Sequence, residues 1–265
     1  MPERLSVPQV HEIVQLAFLG GLTQGLPARH YILKGGANLR MFLGSPRSSE
    51  DMDFDAIDIP DWKLADRMNV ALHAPVVGLI LRTHGLSIVR VGSQKQASTT
   101  QRWAVEVEAP GHRLKISTTG EFSHRVARDG RPEAARAGSR ADAIDPALAG
   151  RYAIPPIVVP HYLPAAAIVQ KIGALAHRTV NQPRDVFDLD LLLARHPEAA
   201  PRADEIQGSE AELAAERATE LTFEAFRDAV LPFIDEAVRS FYATPAAWSD
   251  MQHRVASCLL ELVPQ

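Results

Sequence analysis

Leu33-Lys34-Gly35-Gly36-Ala37-Asn38-Leu39-Arg40, followed after a short polar loop by Arg47-Ser48-Ser49-Glu50-Asp51-Met52-Asp53-Phe54-Asp55-Ala56-Ile57, decides how the chain is read. Tyr31-Ile32-Leu33 is an apolar run stopped by two glycines, and Leu39, Met41, Phe42 and Leu43 follow at helical spacing, which gives strand, glycine turn and helix. Residues 51–57 alternate acidic and apolar side chains, as a half-buried strand does, so Asp51, Asp53 and Asp55 leave one face. Two carboxylates at i and i+2 on a strand bring their oxygens close enough to hold a hard divalent cation, and without one they repel. A bare Asp-x-Asp is more often a solvated strand edge. The Lys34-Gly35-Gly36 turn shifts that balance, because glycines opening a helix let backbone N–H groups and the positive helix end approach a phosphate. Phosphate beside a divalent cation is nucleotide chemistry.

Working outward, Ser6 with Pro8 marks a helix start, and Val10, Ile13, Val14, Ala17 and Phe18 share one helical face; the end is expected near Gly20-Gly21. A helix over 62–72 and strands over 86–91, 102–108 and 114–123 follow, with 92–100 read as a polar loop and 127–149 as a mobile or crossing segment. Pro155, Pro156, Pro160 and Pro164 lead into helices over 164–178, 184–194, 204–219, 222–242 and 246–262. The expected fold class is α/β, with a mixed-sheet domain over 1–150, a helical C-terminal domain over 151–265, and the active cleft between them.

With 265 residues, 46% hydrophobic and 23% charged, the composition is that of an ordinary globular protein. Cys258 is the single cysteine, so neither an intramolecular disulfide nor a Cys-based zinc site can be built, and a cytoplasmic setting is expected. The longest uncharged runs, 13–28 and 154–170, are interrupted by glycine or proline, and no membrane span or secretory signal is expected. The net charge of −4 hides an asymmetry: residues 82–140 hold 11 Lys and Arg against 5 Asp and Glu, whereas 196–265 hold 5 against 13. A basic middle suits a polyanion such as nucleic acid; mutual pairing of the two segments is the plainer account.

The quoted stretch resembles the AbiEii-type nucleotidyltransferase toxins of type IV toxin–antitoxin systems, including the MenT toxins, within the DNA polymerase beta-like nucleotidyltransferase superfamily. Their pattern is a KGG turn and helix, then an R-x-S-E-D-[hydrophobic]-D-[hydrophobic] strand. The second half agrees: Ile168-Val169-Gln170-Lys171-Ile172-Gly173-Ala174-Leu175, then Arg178, then Arg184-Asp185-Val186-Phe187-Asp188-Leu189 is similar to the family's helix with a Lys followed by R-D-x-[aromatic]-D-L. Independently, Ile168, Lys171, Ile172 and Leu175 fall on one helical face, so Lys171 sits in an apolar stripe and needs an anion. A Lys171–Asp185 salt bridge tying two helices together would meet that need without catalysis.

The resemblance implies transfer of a nucleoside monophosphate from an NTP to an acceptor, the 3′ end of tRNA in some members, with a neighbouring antitoxin as partner. It implies Asp51 and Asp53 as ligands of two Mg²⁺ ions, and Lys34, Gly35, Gly36, Arg47 and Ser49 as nucleotide contacts. Lys171 would act on the triphosphate and Asp185 would orient Lys171 or the nucleophile. A third carboxylate is expected from Glu121, with Glu106 and Glu108 as alternatives. Asn38 stands where a small or hydroxyl residue is common. Small-molecule nucleotidyltransfer and non-catalytic binding of NTP or antitoxin are the competing functions. Serine hydrolase, Rossmann and P-loop motifs are absent, and the histidines show no metal-ligand spacing.

Overall fold

The computed structural model describes residues 4–128 and 130–263. The chain divides into two compact units, one holding the chain up to Gly44 with Ser48–Tyr162, the other holding Ser45–Arg47 and the chain from Leu163 on.

The first unit is built on a seven-stranded mixed sheet. Its strands are β1 (Tyr31–Lys34), β2 (Met52–Ala56), β3 (Ser87–Ala97), β4 (Thr100–Glu108), β5 (Ile116–Ser123), β6 (Ser139–Ala143) and β7 (Val158–Tyr162), in the order β3-β4-β5-β2-β1-β7-β6. The α/β class expected from the sequence is therefore present. β2 runs antiparallel to β1 and parallel to β5, and the β1–β7 pair is also parallel. β7 pairs with both β1 and β6, so residues 151–162 belong with the sheet unit, past the boundary at 150 that the sequence suggests.

Helix α1 (Val7–Gly25) packs against α3 (Asp61–Leu72) and α4 (Pro75–Thr83), and against β5. A reciprocal capping box starts it, with the Gln9 side chain accepting from the Ser6 N–H at 2.7 Å. It does not stop at Gly20-Gly21. A Cβ at Gly21 would collide with the Ala71 carbonyl oxygen and one at Gly25 would lie 2.6 Å from the Ala71 backbone, so these glycines are where α1 and α3 touch.

The pleat of β2 sorts its residues. Met52, Phe54 and Ala56 are buried in the core with α1, where Phe54 stacks on Phe122 at 4.5 Å and Phe18 stacks on Phe54 at 6.2 Å. Each fully buried Phe contributes about 2–3 kcal/mol. Gly120 is required beneath the Phe18 ring, which occupies the place a Cβ would take. Asp51, Asp53 and Asp55 alternate with these residues and so take the opposite face.

Two segments read as irregular contain regular elements among the described residues. Residues 92–97 continue β3, because Gly92 to Ala97 find ladder partners from Thr100 to Ala104 on β4. Within 127–149 lie α6 (Pro132–Ala137), β6 and α7 (Pro146–Arg151), preceded by the short α5 (Arg125–Arg128); prolines at the starts of α6 and α7 fit positions where no N–H is needed. The glycine turn opens α2 (Gly35–Phe42).

The second unit is helical: α8 (Pro164–His177), α9 (Pro183–Arg195), α10 (Gly208–Glu220), α11 (Phe223–Ala229), α12 (Glu236–Arg239) and α13 (Pro245–Leu260). α8 packs on α9 and α10, and α13 on the same two, with Phe226 stacked on Trp248 at 4.4 Å. The single helix expected over 222–242 is broken by a 3₁₀ turn at Leu231–Phe233, where Pro232 supplies no N–H. Residues 45–47 join this unit through an Arg47–Ile234 bridge and the Asp235 N–H donating to the Pro46 carbonyl at 2.9 Å. Among the described residues no single helix is long and apolar enough to cross a membrane.

Candidate active site

In the first unit the candidate site residues gather on the face of β2 opposite α1. β1 delivers Lys34, and Gly35 turns the chain into α2 at φ +68°, a conformation that favours glycine. A Cβ at residue 35 would lie 2.7 Å from Asp53 Oδ2, so glycine also lets the Asp53 carboxylate pack against the start of α2. The α2 N-cap residue, Lys34, makes no side-chain cap. Antiparallel pairing sets Lys34 opposite Asp53, and parallel pairing sets Asp53 opposite Glu121.

Each carboxylate has a defined setting. Asp51 Oδ1 accepts from the Thr119 hydroxyl at 2.6 Å and the Thr119 N–H at 3.3 Å, on an exposed edge. Asp55 is buried and accepts from Lys34 Nζ at 2.6 Å and the Tyr162 hydroxyl at 2.7 Å. Burial and the neighbouring Asp55 charge push the Tyr162 phenol up, which keeps it a donor. Glu121 accepts from Arg102 Nε at 3.0 Å and from Nη2 as well. The Ser49 hydroxyl donates to the Asp51 backbone carbonyl at 3.0 Å and so fixes the approach to the strand. Asn38 is fully buried, with Nδ2 donating to the Tyr162 carbonyl at 2.9 Å and Oδ1 3.0 Å from His161 Nδ1, so its amide ties α2 to β7.

The second unit carries a separate buried ionic cluster. Lys171 on α8 is 7% exposed, and its ammonium lies 2.8 Å from Asp185 Oδ1 and 2.6 Å from Asp188 Oδ2, both on α9. Arg47 forks onto Asp188 through Nε at 3.1 Å and Nη2 at 2.9 Å. Burial would raise the Asp188 carboxyl, but Arg47 and Lys171 outweigh it and bring it down to about 2. Arg178 Nε approaches Asp185 Oδ2 at 2.8 Å without hydrogen-bonding alignment, so the contact is Coulombic and both buried atoms lack a hydrogen-bond partner.

The family pattern extends over nearly the whole chain: the model of the nucleotidyl transferase AbiEii toxin family, type IV toxin–antitoxin system, matches residues 17–258. The chain belongs to this family. It is a nucleotidyltransferase of the toxin–antitoxin class. Two crystal structures share its fold. One, of a protein assigned as a nucleotidyltransferase in Helicobacter pylori, is 18% identical with a TM-score of 0.58, over 97% of both chains. The other, JHP933 from Helicobacter pylori, is 18% identical with a TM-score of 0.59, over 97% of this chain and 95% of that one. No protein of curated function matches the sequence.

For this nucleotidyltransferase the first unit brings together Lys34, Gly35, Gly36, Ser49, Asp51, Asp53 and Glu121, while Arg47, Lys171 and Asp185 lie in the second unit. Arg47 is buried against Asp188, and Lys34 is engaged by Asp55. Asp51 and Asp53 are the residues that could hold a metal. Their donors are hard carboxylate oxygens, and Mg²⁺ is commonly bound by one or two carboxylates plus substrate phosphates. Among the described residues no group of three His, Cys, Asp or Glu is arranged to hold one, and Glu121 is engaged by Arg102. Thr119 and Arg102 are not singled out by the sequence as members of this candidate site, although Thr119 stands two before Glu121 on the same strand face. Asp188 lies in the quoted R-D-x-[aromatic]-D-L motif beside Asp185, without a role of its own.

Proposed function

We propose that the protein is a Mg²⁺-dependent nucleotidyltransferase toxin that moves a nucleoside monophosphate from an NTP to the 3′ end of tRNA. The packing of Asp53 against Gly35 carries the reading, because it sets a metal-binding carboxylate beside a helix start suited to phosphate.

Asp51 and Asp53 would hold Mg²⁺, two ions by the family pattern. When bound, the metal supplies charge neutralisation on the triphosphate and lowers the pKa of the attacking hydroxyl. Gly35 and Gly36 offer backbone N–H groups to phosphate oxygens, and Ser49 and Lys34 hold the strand ends that shape that turn. Thr119 fixes the Asp51 carboxylate, which keeps one oxygen oriented when the site is loaded. Lys171 stabilises negative charge on the departing pyrophosphate, and Asp185 orients it. Asp185 is itself held by Arg178, whose Nε lies 2.8 Å from Asp185 Oδ2. A cytoplasmic setting and a cognate antitoxin complete the reading.

The test is incubation of the purified protein with each labelled NTP, Mg²⁺ and total tRNA. Label should enter tRNA, require Mg²⁺, and disappear when the tRNA 3′ end is oxidised with periodate. Label entering small molecules instead would establish small-molecule transfer, and no label from any NTP would establish a binding protein.

A further inference from the structure

Four ladder registers align five charged residues in one row across the first unit's sheet: Lys34 on β1, Asp53 on β2, Glu121 on β5, Arg102 on β4 and Lys95 on β3. Directly opposed residues on adjacent strands present their side chains to the same face, so the whole row shares the face of Asp51 and Asp53. Its charge is ordered. The glycine turn and Lys34 stand at the β1 end, the acids in the middle, and two cations in succession at the β3 end.

Arg102 is held by Glu121 through Nε and Nη2, yet its side chain is 42% exposed and Nη1 has no protein partner among the described residues. Lys95 is exposed and makes no ion pair among the described residues. Strands stand about 4.8 Å apart, so Arg102 lies roughly 10 Å from Asp53, on the side away from the glycine turn. An NTP docked on that turn would place its phosphates toward β1. Cations on the far side of the metal-binding acids would then be left to an incoming acceptor. Two of them on adjacent strands, within a segment holding 11 basic and 5 acidic residues, suit a polyanion.

Building on the metal–nucleotide reading of Asp51 and Asp53, we propose that Arg102 and Lys95 bind backbone phosphates of a nucleic-acid acceptor. Glu121 is then a positioning residue that holds the Arg102 guanidinium over this face, not a third metal ligand. Its two contacts with Arg102 keep the planar fork in one orientation, which a free arginine would have to find on binding.

The experiment uses the full chain and its Arg102→Ala, Arg102→Lys, Lys95→Ala and Glu121→Gln variants, with total tRNA as the probe. Equilibrium binding across a salt series is measured without NTP, and KM for NTP, KM for tRNA and the Mg²⁺ midpoint of transfer are measured separately. Arg102→Ala should weaken tRNA binding about tenfold and flatten the log–log salt slope by about one, with KM for NTP unchanged. Lys95→Ala should act in the same direction, and Arg102→Lys should recover part of the affinity. Glu121→Gln should raise KM for tRNA and leave the Mg²⁺ midpoint where it was. A shifted Mg²⁺ midpoint with intact tRNA affinity would make Glu121 a metal ligand and overturn the proposal. So would a raised KM for NTP in Arg102→Ala, or wild-type binding without salt dependence. Because binding is read without NTP, loss of the transfer reading and loss of this one are separate results.

Discussion

Gly35 and Asp53 are fitted to each other: the place a Cβ would take at residue 35 is 2.7 Å from Asp53 Oδ2, and residue 35 also holds φ at +68°. The glycine turn and the acidic strand, separate in sequence, are thus one structural device. Gly35→Ala should strain the backbone and displace the Asp53 carboxylate together. The expected result is a fall in kcat/KM of about 100-fold, with a stability loss of about 1–3 kcal/mol by thermal melting. Retention of near-full activity would show that Asp53 need not rest against the turn.

Lys171 and Asp188 separate structure from catalysis in the second unit. Asp188→Asn removes the charge that faces both Arg47 and Lys171 in a buried setting, and should lower stability by about 3–5 kcal/mol. Lys171→Met keeps an apolar stem, and each aspartate keeps an arginine neighbour, Arg178 for Asp185 and Arg47 for Asp188. Its melting temperature should fall less than that of Asp188→Asn while transfer is lost. An active but much less stable Lys171→Met protein would reduce the cluster to a tie between helices.

Acid should destabilise the fold in two stages. Burial lowers His11, His124 and His161 below the ordinary 6.5, against opposing pulls from Asp51, Asp61 and Asp142 respectively. As pH falls through 6.5 the unfolded chain takes up protons that the folded chain resists, so stability present above that pH declines. Denaturant titrations at pH 7.5 and 5.5 should differ by on the order of 1–3 kcal/mol. The Asp188 contribution runs separately: present above its ordinary 3.8, it is lost as pH falls toward about 2. A flat profile between pH 7.5 and 5.5 would contradict the burial of these histidines.

Gly21→Ala should cost stability despite its better helix propensity, because the added methyl meets the Ala71 backbone. A loss of about 1–3 kcal/mol in denaturant titration is expected. A gain would mean that α1 and α3 do not approach as closely as described.

That glycine also shows where the sequence stops being legible. The pattern of α1, α8, α9 and β2 could be read because one face of each is apolar at the period of its element, and the site motifs lie at the ends of such elements. Gly20-Gly21 reads as a stop because close helix contact and helix termination use the same residue. Residues 92–97 read as a loop because an edge strand exposed on both faces has no apolar alternation; its order comes from ladder bonds to β4. β6 was hidden for a related reason, being a short edge strand with exposed Arg140. Arg47 looks local to Asp51 in sequence, yet its partner Asp188 is 141 residues away, a pairing that no nearby pattern encodes. The Arg102–Glu121 pair likewise depends on strand register.

On the proposed reading, Asp51 and Asp53 form the metal-binding pair of this nucleotidyltransferase. The most direct measurement is nucleotide transfer from labelled NTP to total tRNA by Asp53→Asn and Asp51→Asn beside wild type, with the melting temperature of each recorded with and without Mg²⁺. Both variants should remain folded, lose transfer by at least about 1,000-fold, and lose any Mg²⁺-dependent stabilisation seen with nucleotide in the wild type. A folded Asp53→Asn protein that transfers nucleotide at the wild-type rate would contradict the account.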